Sequence, residues 1–148
     1  MGERIVIEAQ FHASPERGFA AFTSADELAH WWWPHLPDTT YAFDPHPGGR
    51  YEIRSAAAGI GIEGEVVRLA PPRSLLLTWR WLNDGIAGPE EQVRITFRPD
   101  DDGTHVTVDH LLDDASDSGD GIREGWEAVL SRLQELFAAK WVRRMRPG

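Results

Sequence analysis

The chain has 148 residues, the size of one domain, and is 41% apolar and 26% charged with a mean hydropathy of −0.41. These values exclude wholesale disorder, a fibrous chain and any bilayer-spanning run of about 18 apolar residues. Zero cysteine excludes disulfide scaffolds, Cys-ligated zinc, iron–sulfur clusters and thiol nucleophiles, and a net charge of −9 repels phosphate backbones, so no nucleic-acid partner is expected.

The charge is unevenly spread. Residues 140–148 hold Lys140, Arg143, Arg144 and Arg146 without an acid, leaving 11 basic against 24 acidic side chains in residues 1–139. The basic end reads as a solvated, fraying tail. The opening, Met1-Gly2-Glu3-Arg4-Ile5-Val6-Ile7, lacks the apolar stretch of a signal peptide, so a cytoplasmic location is the expectation.

In chain order, Ile5, Ile7, Ala9 and Phe11 alternate with mostly polar residues and predict a strand with one buried face. Ser14-Pro15-Glu16-Arg17 places a capping hydroxyl before a proline at the first helical position, with Phe19, Ala20 and Phe22 as a short apolar face. Ser24-Ala25-Asp26-Glu27 has the form of a capping box and predicts a second short helix from Ala25 to Trp32, ended by Pro34.

Hairpin punctuation follows. Tyr41–Phe43, Tyr51–Arg54, Ile60–Leu69, Leu75–Leu82, Gln92–Arg98 and Thr104–Leu111 read as strands, separated by turns such as Pro47-Gly48-Gly49, Asn83-Asp84-Gly85 and Asp102-Gly103. The gaps are too short for crossover helices, so the sheet is expected to be antiparallel. Ile122, Trp126, Val129, Leu130, Leu133, Phe137 and Trp141 then recur at steps of three and four, a long apolar stripe that predicts one helix packed on the sheet. Asp117, Ser118 and Asp120 offer caps for it. Gly121 and Gly125 sit four apart near its start and suggest close backbone approach. The expectation is a single α+β domain over residues 1–148.

The order strand, two short helices, six strands, long helix resembles the helix-grip fold of the START and pollen-allergen-like superfamily, also called SRPBCC. Leu28-Ala29-His30-Trp31-Trp32-Trp33-Pro34, Pro47-Gly48-Gly49-Arg50, Gly64-Glu65-Val66, Pro71-Pro72-Arg73-Ser74-Leu75, Thr78-Trp79-Arg80-Trp81 and Gly125-Trp126 together resemble the stand-alone proteins related to the activator of the heat-shock-protein-90 ATPase. The resemblance implies a curved antiparallel sheet of six or seven strands wrapped around the C-terminal helix. It spans residues 3–138, and departs at one point: the family usually reads Trp-Trp-Gly-Pro where this chain has Trp33 in the glycine position, so the cavity mouth is expected to differ in shape. The superfamily includes lipid carriers, cyclases and aromatases, hormone receptors and chaperone activators, so the fold does not choose among them.

Seven tryptophans are the sharpest compositional feature. Leu77, Trp79 and Trp81 share one strand face and Trp126 lies in the helix stripe opposite, which predicts an aromatic-walled cavity to which Trp32 contributes. Such walls suit a small hydrophobic or aromatic ligand; filling of the core is the alternative for each ring. His110 has the parity of Val106 and Val108 and so faces the core, where a ligand, Tyr51 or a buried water would satisfy it. It also corresponds to a histidine that often closes this strand in the family.

Metal chemistry finds no support. His30 and His35 are separated by Pro34, and the loop Asp114–Asp120, which has calcium-like spacing, presents Gly125 where a bidentate glutamate is needed. No nucleophile elbow, phosphate loop or dinucleotide fingerprint is present.

The ligand-binding set expected from sequence is therefore Trp32, Tyr51, Leu77, Trp79, Trp81, His110 and Trp126, with no catalytic residue, metal or cofactor assigned. Binding of a small hydrophobic ligand is the leading function. A cavity enzyme of cyclase, aromatase or hydrolase type, using His110, Tyr51 and a nearby carboxylate as acid and base, is the second. Chaperone contact is the third, and a homodimer is left open.

Overall fold

Strand β1 (Arg4–Phe11) buries Ile5, Ile7 and Phe11 and turns Val6 outward, so the one apolar residue in a polar slot leaves the period of two intact. The computed structural model describes residues 4–101, 103–113 and 119–145. Helix α1 (Pro15–Thr23) starts as the sequence indicates, with the Arg17 N–H donating to Ser14 Oγ at 3.1 Å.

Helix α2 is shorter than expected, a single turn over Ala25–Leu28. The capping box does not form: Ser24 makes no side-chain cap, and the Glu27 carboxylate that should reach back to it instead pairs with Arg17, Nη2 to Oε1 at 3.0 Å. Further turn bonds, the last from Trp32 N–H to Leu28 O at 2.8 Å, carry the chain to Trp33. There φ is 54°, a left-handed conformation that ends the helix before Pro34.

The remaining strands are β2 (Thr39–Phe43), β3 (Arg50–Ser55), β4 (Ile60–Ala70), β5 (Ser74–Asn83), β6 (Ile86–Ala87), β7 (Glu91–Asp100) and β8 (Gly103–Leu111). The six strands expected after the helices are all present. β6 is additional, a two-residue return after the Asp84-Gly85 turn that pairs only with β5. Every pairing is antiparallel, in the order β1-β8-β7-β5-β4-β3-β2.

Register lines up the inner face. Ile5, His110, Val93, Leu77 and Val66 are successive cross-strand partners, and all five are buried. The pairing of β4 with β5 slips between Val66 and Arg68, an irregularity of the kind that bends a strand and increases its twist. Next to it, Tyr51 lies opposite Gly64. A Cβ on Gly64 would fall 2.7 Å from the Tyr51 ring and on top of the Thr78 carbonyl, so glycine here lets the ring lie flat against β4.

Helix α3 (Gly119–Met145) is continuous across the sheet and buries Trp126, Val129, Leu130, Leu133 and Phe137, the stripe read from sequence. Its backbone is helical through Met145, so Lys140, Arg143 and Arg144 lie within the helix. Phe137 meets Phe11 of β1 at 5.6 Å between ring centroids, and Phe19 and Phe22 of α1 meet Phe97 of β7 at 5.5 and 5.3 Å. Thus one core runs between the sheet and both helices. Asp102, the caps Asp117 and Ser118, most of the loop considered for calcium, and residues 146–148 lie outside the described residues, as do the side chains of Asp120 and Trp141. No described helix is long and apolar enough to cross a membrane.

Candidate functional site

Where α3 crosses the sheet beyond the end of β7, the core is incompletely filled. A cavity of about 90 Å³ opens among Trp32, Ile62, Trp79, Trp126 and Val129, with Trp33, Trp81, Gly121, Ile122 and Gly125 around it. A second void of about 20 Å³ lies among Phe22, Leu28, Phe43, Tyr51, Ile53, Leu77 and Ile95, and shares Trp32, Ile62, Trp79 and Trp126 with the first.

The shared rings are set by three different elements. Trp79 rides on β5, on the inward parity of Leu75 and Leu77. Trp126 comes from α3. Trp32 lies beyond α2, where the Tyr41 hydroxyl of β2 donates to its carbonyl. The rings meet edge to face or tilted, Trp32 to Trp126 at 5.2 Å and 87°, Trp79 to Trp126 at 5.4 Å and 33°, and Trp32 to Trp79 at 6.3 Å and 55°. Such contacts contribute beyond burial alone, yet rings packed at these angles leave gaps that aliphatic side chains would fill.

Trp81 keeps inward parity but is 37% exposed. β7 pairs with β5 only as far as Trp79 opposite Glu91, so beyond that point the sheet is narrower. Trp81 stands at the mouth and is met edge to face by Trp33 at 6.0 Å. Gly125 leaves the facing side of the helix bare. A Cβ there would meet nothing within 4 Å, so the close backbone approach expected from the glycine pair does not occur at Gly125.

His110 is buried as its parity predicts, at 0% exposure, but it lines neither void. Trp126 Nε1–H donates to its Nδ1 at 3.0 Å. That nitrogen must therefore carry a lone pair, and the ring proton sits on Nε2, which donates to Glu91 Oε1 at 2.8 Å. The other Glu91 oxygen accepts the Asp113 N–H at 3.0 Å. Burial pushes the His110 pKa below the usual imidazole value, while the hydrogen bond and charge of Glu91, with the charge of Asp109, act against that shift. The result is a neutral imidazole with both nitrogens engaged, a bridge that ties α3 to β8 and β7.

Of the residues expected from sequence, Trp32, Tyr51, Leu77, Trp79, Trp81 and Trp126 border one void or the other, and His110 stands behind Trp79 and Trp126, 4.9 and 6.4 Å away between ring centroids. Tyr51 donates to Thr78 O at 2.7 Å; burial, then the charge of Glu63, pushes its phenol pKa far up, so it stays protonated. Glu91 was missed. Its parity with Val93, Ile95 and Phe97 was the available signal for an inward carboxylate.

Among the described residues no three His, Cys, Asp or Glu side chains cluster to hold a metal. A larger depression, about 290 Å³, lies on the outer face of the sheet among Arg4, Leu76, Gln92, Arg94, Asp109 and Leu111. It is bounded by solvated charges, including the Arg4–Asp109 pair at 3.0 Å, and belongs to the opposite side from the rings.

Comparison with known proteins agrees with this architecture. The chain is similar along 98% of its length to all of protein MLL2253 from Mesorhizobium loti, at 22% identity and a TM-score of 0.76. It is similar over 91% of its length to 96% of protein Mll3558 from Rhizobium loti, at 21% and 0.78. It is also similar over 91% of its length to 74% of CalU16 from Micromonospora echinospora, at 21% and 0.71. None of the curated proteins matches it. The model of one family matches residues 12–138, which takes in α1, α2, the sheet from β2 to β8 and most of α3. The chain belongs to the family described as Activator of Hsp90 ATPase homolog 1-like protein.

Proposed function

We propose that this protein binds a small hydrophobic or aromatic molecule in the cavity between the sheet and α3. The observation that carries the reading is the gap of about 90 Å³ among Trp32, Ile62, Trp79 and Trp126, inside the buried core. Ligand pockets usually measure about 300–1,000 Å³. The guest is therefore small, or it enters by turning the rings at the mouth. Fold membership is compatible with this reading and does not select it.

The Glu91–His110 pair favours a second reading, catalysis of the cyclase, aromatase or hydrolase kind, because a carboxylate that orients an imidazole is a common acid–base arrangement. Binding is preferred over it. The nitrogen such a mechanism would direct at substrate is taken by Trp126, and among the described residues the walls of both voids carry no Asp, Glu, His, Lys or Arg. Catalysis needs a matched set of groups around the reacting atoms.

Native mass spectrometry of protein purified from its own host, with thermal melting against a library of small apolar and aromatic molecules, tests the proposal. A co-purified small molecule, or a melting temperature that rises with ligand concentration and responds less in Trp79→Ala, supports it. No bound mass and no shift across the library would overturn it.

A further inference from the structure

Among the described residues four tryptophans are buried at 5% exposure or less, and their indole N–H groups differ in whether they are paired. Trp31 donates to Ala21 O at 3.1 Å and Trp126 to His110 Nδ1 at 3.0 Å. Among the described residues, Trp32 Nε1 and Trp79 Nε1 have no hydrogen-bond partner. Trp32 and Trp79 line both voids. Trp126, satisfied by His110, lines both as well, and Trp31, also satisfied, lines neither.

A buried donor left unpaired loses its hydration without compensation, and buried polar groups in native proteins are nearly always paired. Two such donors on touching rings need a cause. Space filling does not supply one, because phenylalanine packs without carrying the N–H. An acceptor atom brought by a guest does. We infer that the cavity takes an uncharged, ring-sized molecule bearing a hydrogen-bond acceptor, such as a ketone or ether, whose oxygen is held by the indole N–H of Trp32, Trp79 or both. This rests on the binding reading above and narrows it.

The lack of charge follows from the walls. Among the described residues no cationic side chain lines either void, so a carboxylate would lose its hydration without gaining a counter-charge. The one hydroxyl among the described wall residues, that of Tyr51, already donates to Thr78 O at 2.7 Å. The buried chemistry left over is thus donation, by the two unpaired indoles of Trp32 and Trp79, to a neutral oxygen. Neither nitrogen is reached by solvent in the resting arrangement, so the acceptor arrives as the rings turn, the same movement that a guest larger than about 90 Å³ requires.

Cyclohexanone and methylenecyclohexane, which share a shape and differ in oxygen against CH₂, separate this inference from the binding reading. Both are titrated into the whole protein by NMR, following the indole N–H signals, and into Trp32→Phe and Trp79→Phe. The inference predicts that the ketone moves the Trp32 or Trp79 indole proton downfield and the alkene does not. It also predicts that one or both variants weaken the ketone about 10-fold while changing the alkene less than about twofold. If the alkene binds and the ketone moves no indole proton downfield, the acceptor inference is overturned and apolar binding stands. If neither probe binds, the binding reading fails with it. Should a variant fail to fold, the wild-type indole signals alone decide.

Discussion

Trp126 donates its indole N–H to Nδ1 of His110 at 3.0 Å, and this one bond fixes both the tautomer of the histidine and its availability. A proton on Nδ1 would point at the indole proton and break the bridge. The imidazole therefore serves as a neutral link between helix and sheet, with Glu91 accepting from its other nitrogen.

The pH dependence of stability follows. Because the folded pKa of His110 is lowered, the folded state binds fewer protons at this site than the unfolded chain, whose histidines titrate near 6.5. Its contribution is full above about pH 6.5 and declines as pH falls from there toward the folded value. Urea unfolding between pH 8 and 5 checks this: the difference between wild type and His110→Gln should shrink on acidification. A difference that grows toward pH 5 would contradict a depressed pKa.

The bridge itself separates two substitutions. Gln at position 110 can still donate toward Glu91 and accept from Trp126, whereas Leu takes a donor from the buried Glu91 carboxylate and leaves the Trp126 indole N–H without its acceptor. His110→Leu should lose about 3 kcal/mol or more, and His110→Gln distinctly less, in equilibrium unfolding. Equal losses would mean that volume, not hydrogen bonding, is what position 110 supplies.

At Trp33 the backbone φ is 54°, a conformation costly for a bulky side chain and free for glycine. Trp33→Gly should therefore be more stable than Trp33→Ala by about 1 kcal/mol, although glycine is usually the more destabilising choice. With the ring that meets Trp81 removed, apolar guests should also associate faster in stopped-flow fluorescence. The opposite order of stability would show that the backbone relaxes on truncation.

Two glycines should respond with opposite sign. Gly125 lies in a helix with open space where a Cβ would go, so Gly125→Ala should stabilise by roughly 0.5–1 kcal/mol. Gly64→Ala forces a methyl against Tyr51 and the Thr78 carbonyl and should lower the melting temperature by several degrees, as an overpacking cost of about 1–3 kcal/mol implies. Thermal melts of the two variants measure both.

Much of the fold was legible because periodicity reports burial directly. The alternation in β1 and the stripe Trp126, Val129, Leu130, Leu133 and Phe137 gave the inner faces of sheet and helix, and short turns forced antiparallel pairing. α2 misled because the capping-box pattern is local, whereas the partner Glu27 takes is Arg17, ten residues back. At the site, parity placed His110 inward. It could not reveal that Glu91 and Trp126 occupy both nitrogens, since that depends on strand register and on the rotation of α3 about its axis. The division of the tryptophans between filling and lining was also unreadable, because the gap arises from the mutual angles of Trp32, Trp79 and Trp126.

The central claim, that an apolar guest sits between the sheet and α3, is tested most directly by a crystal structure of the protein held under xenon or soaked in a small ketone. The account predicts density bounded by Trp32, Ile62, Trp79, Trp126 and Gly125. Density confined to the outer depression by Leu76 and Leu111, with the ring cluster unchanged and empty, would contradict it.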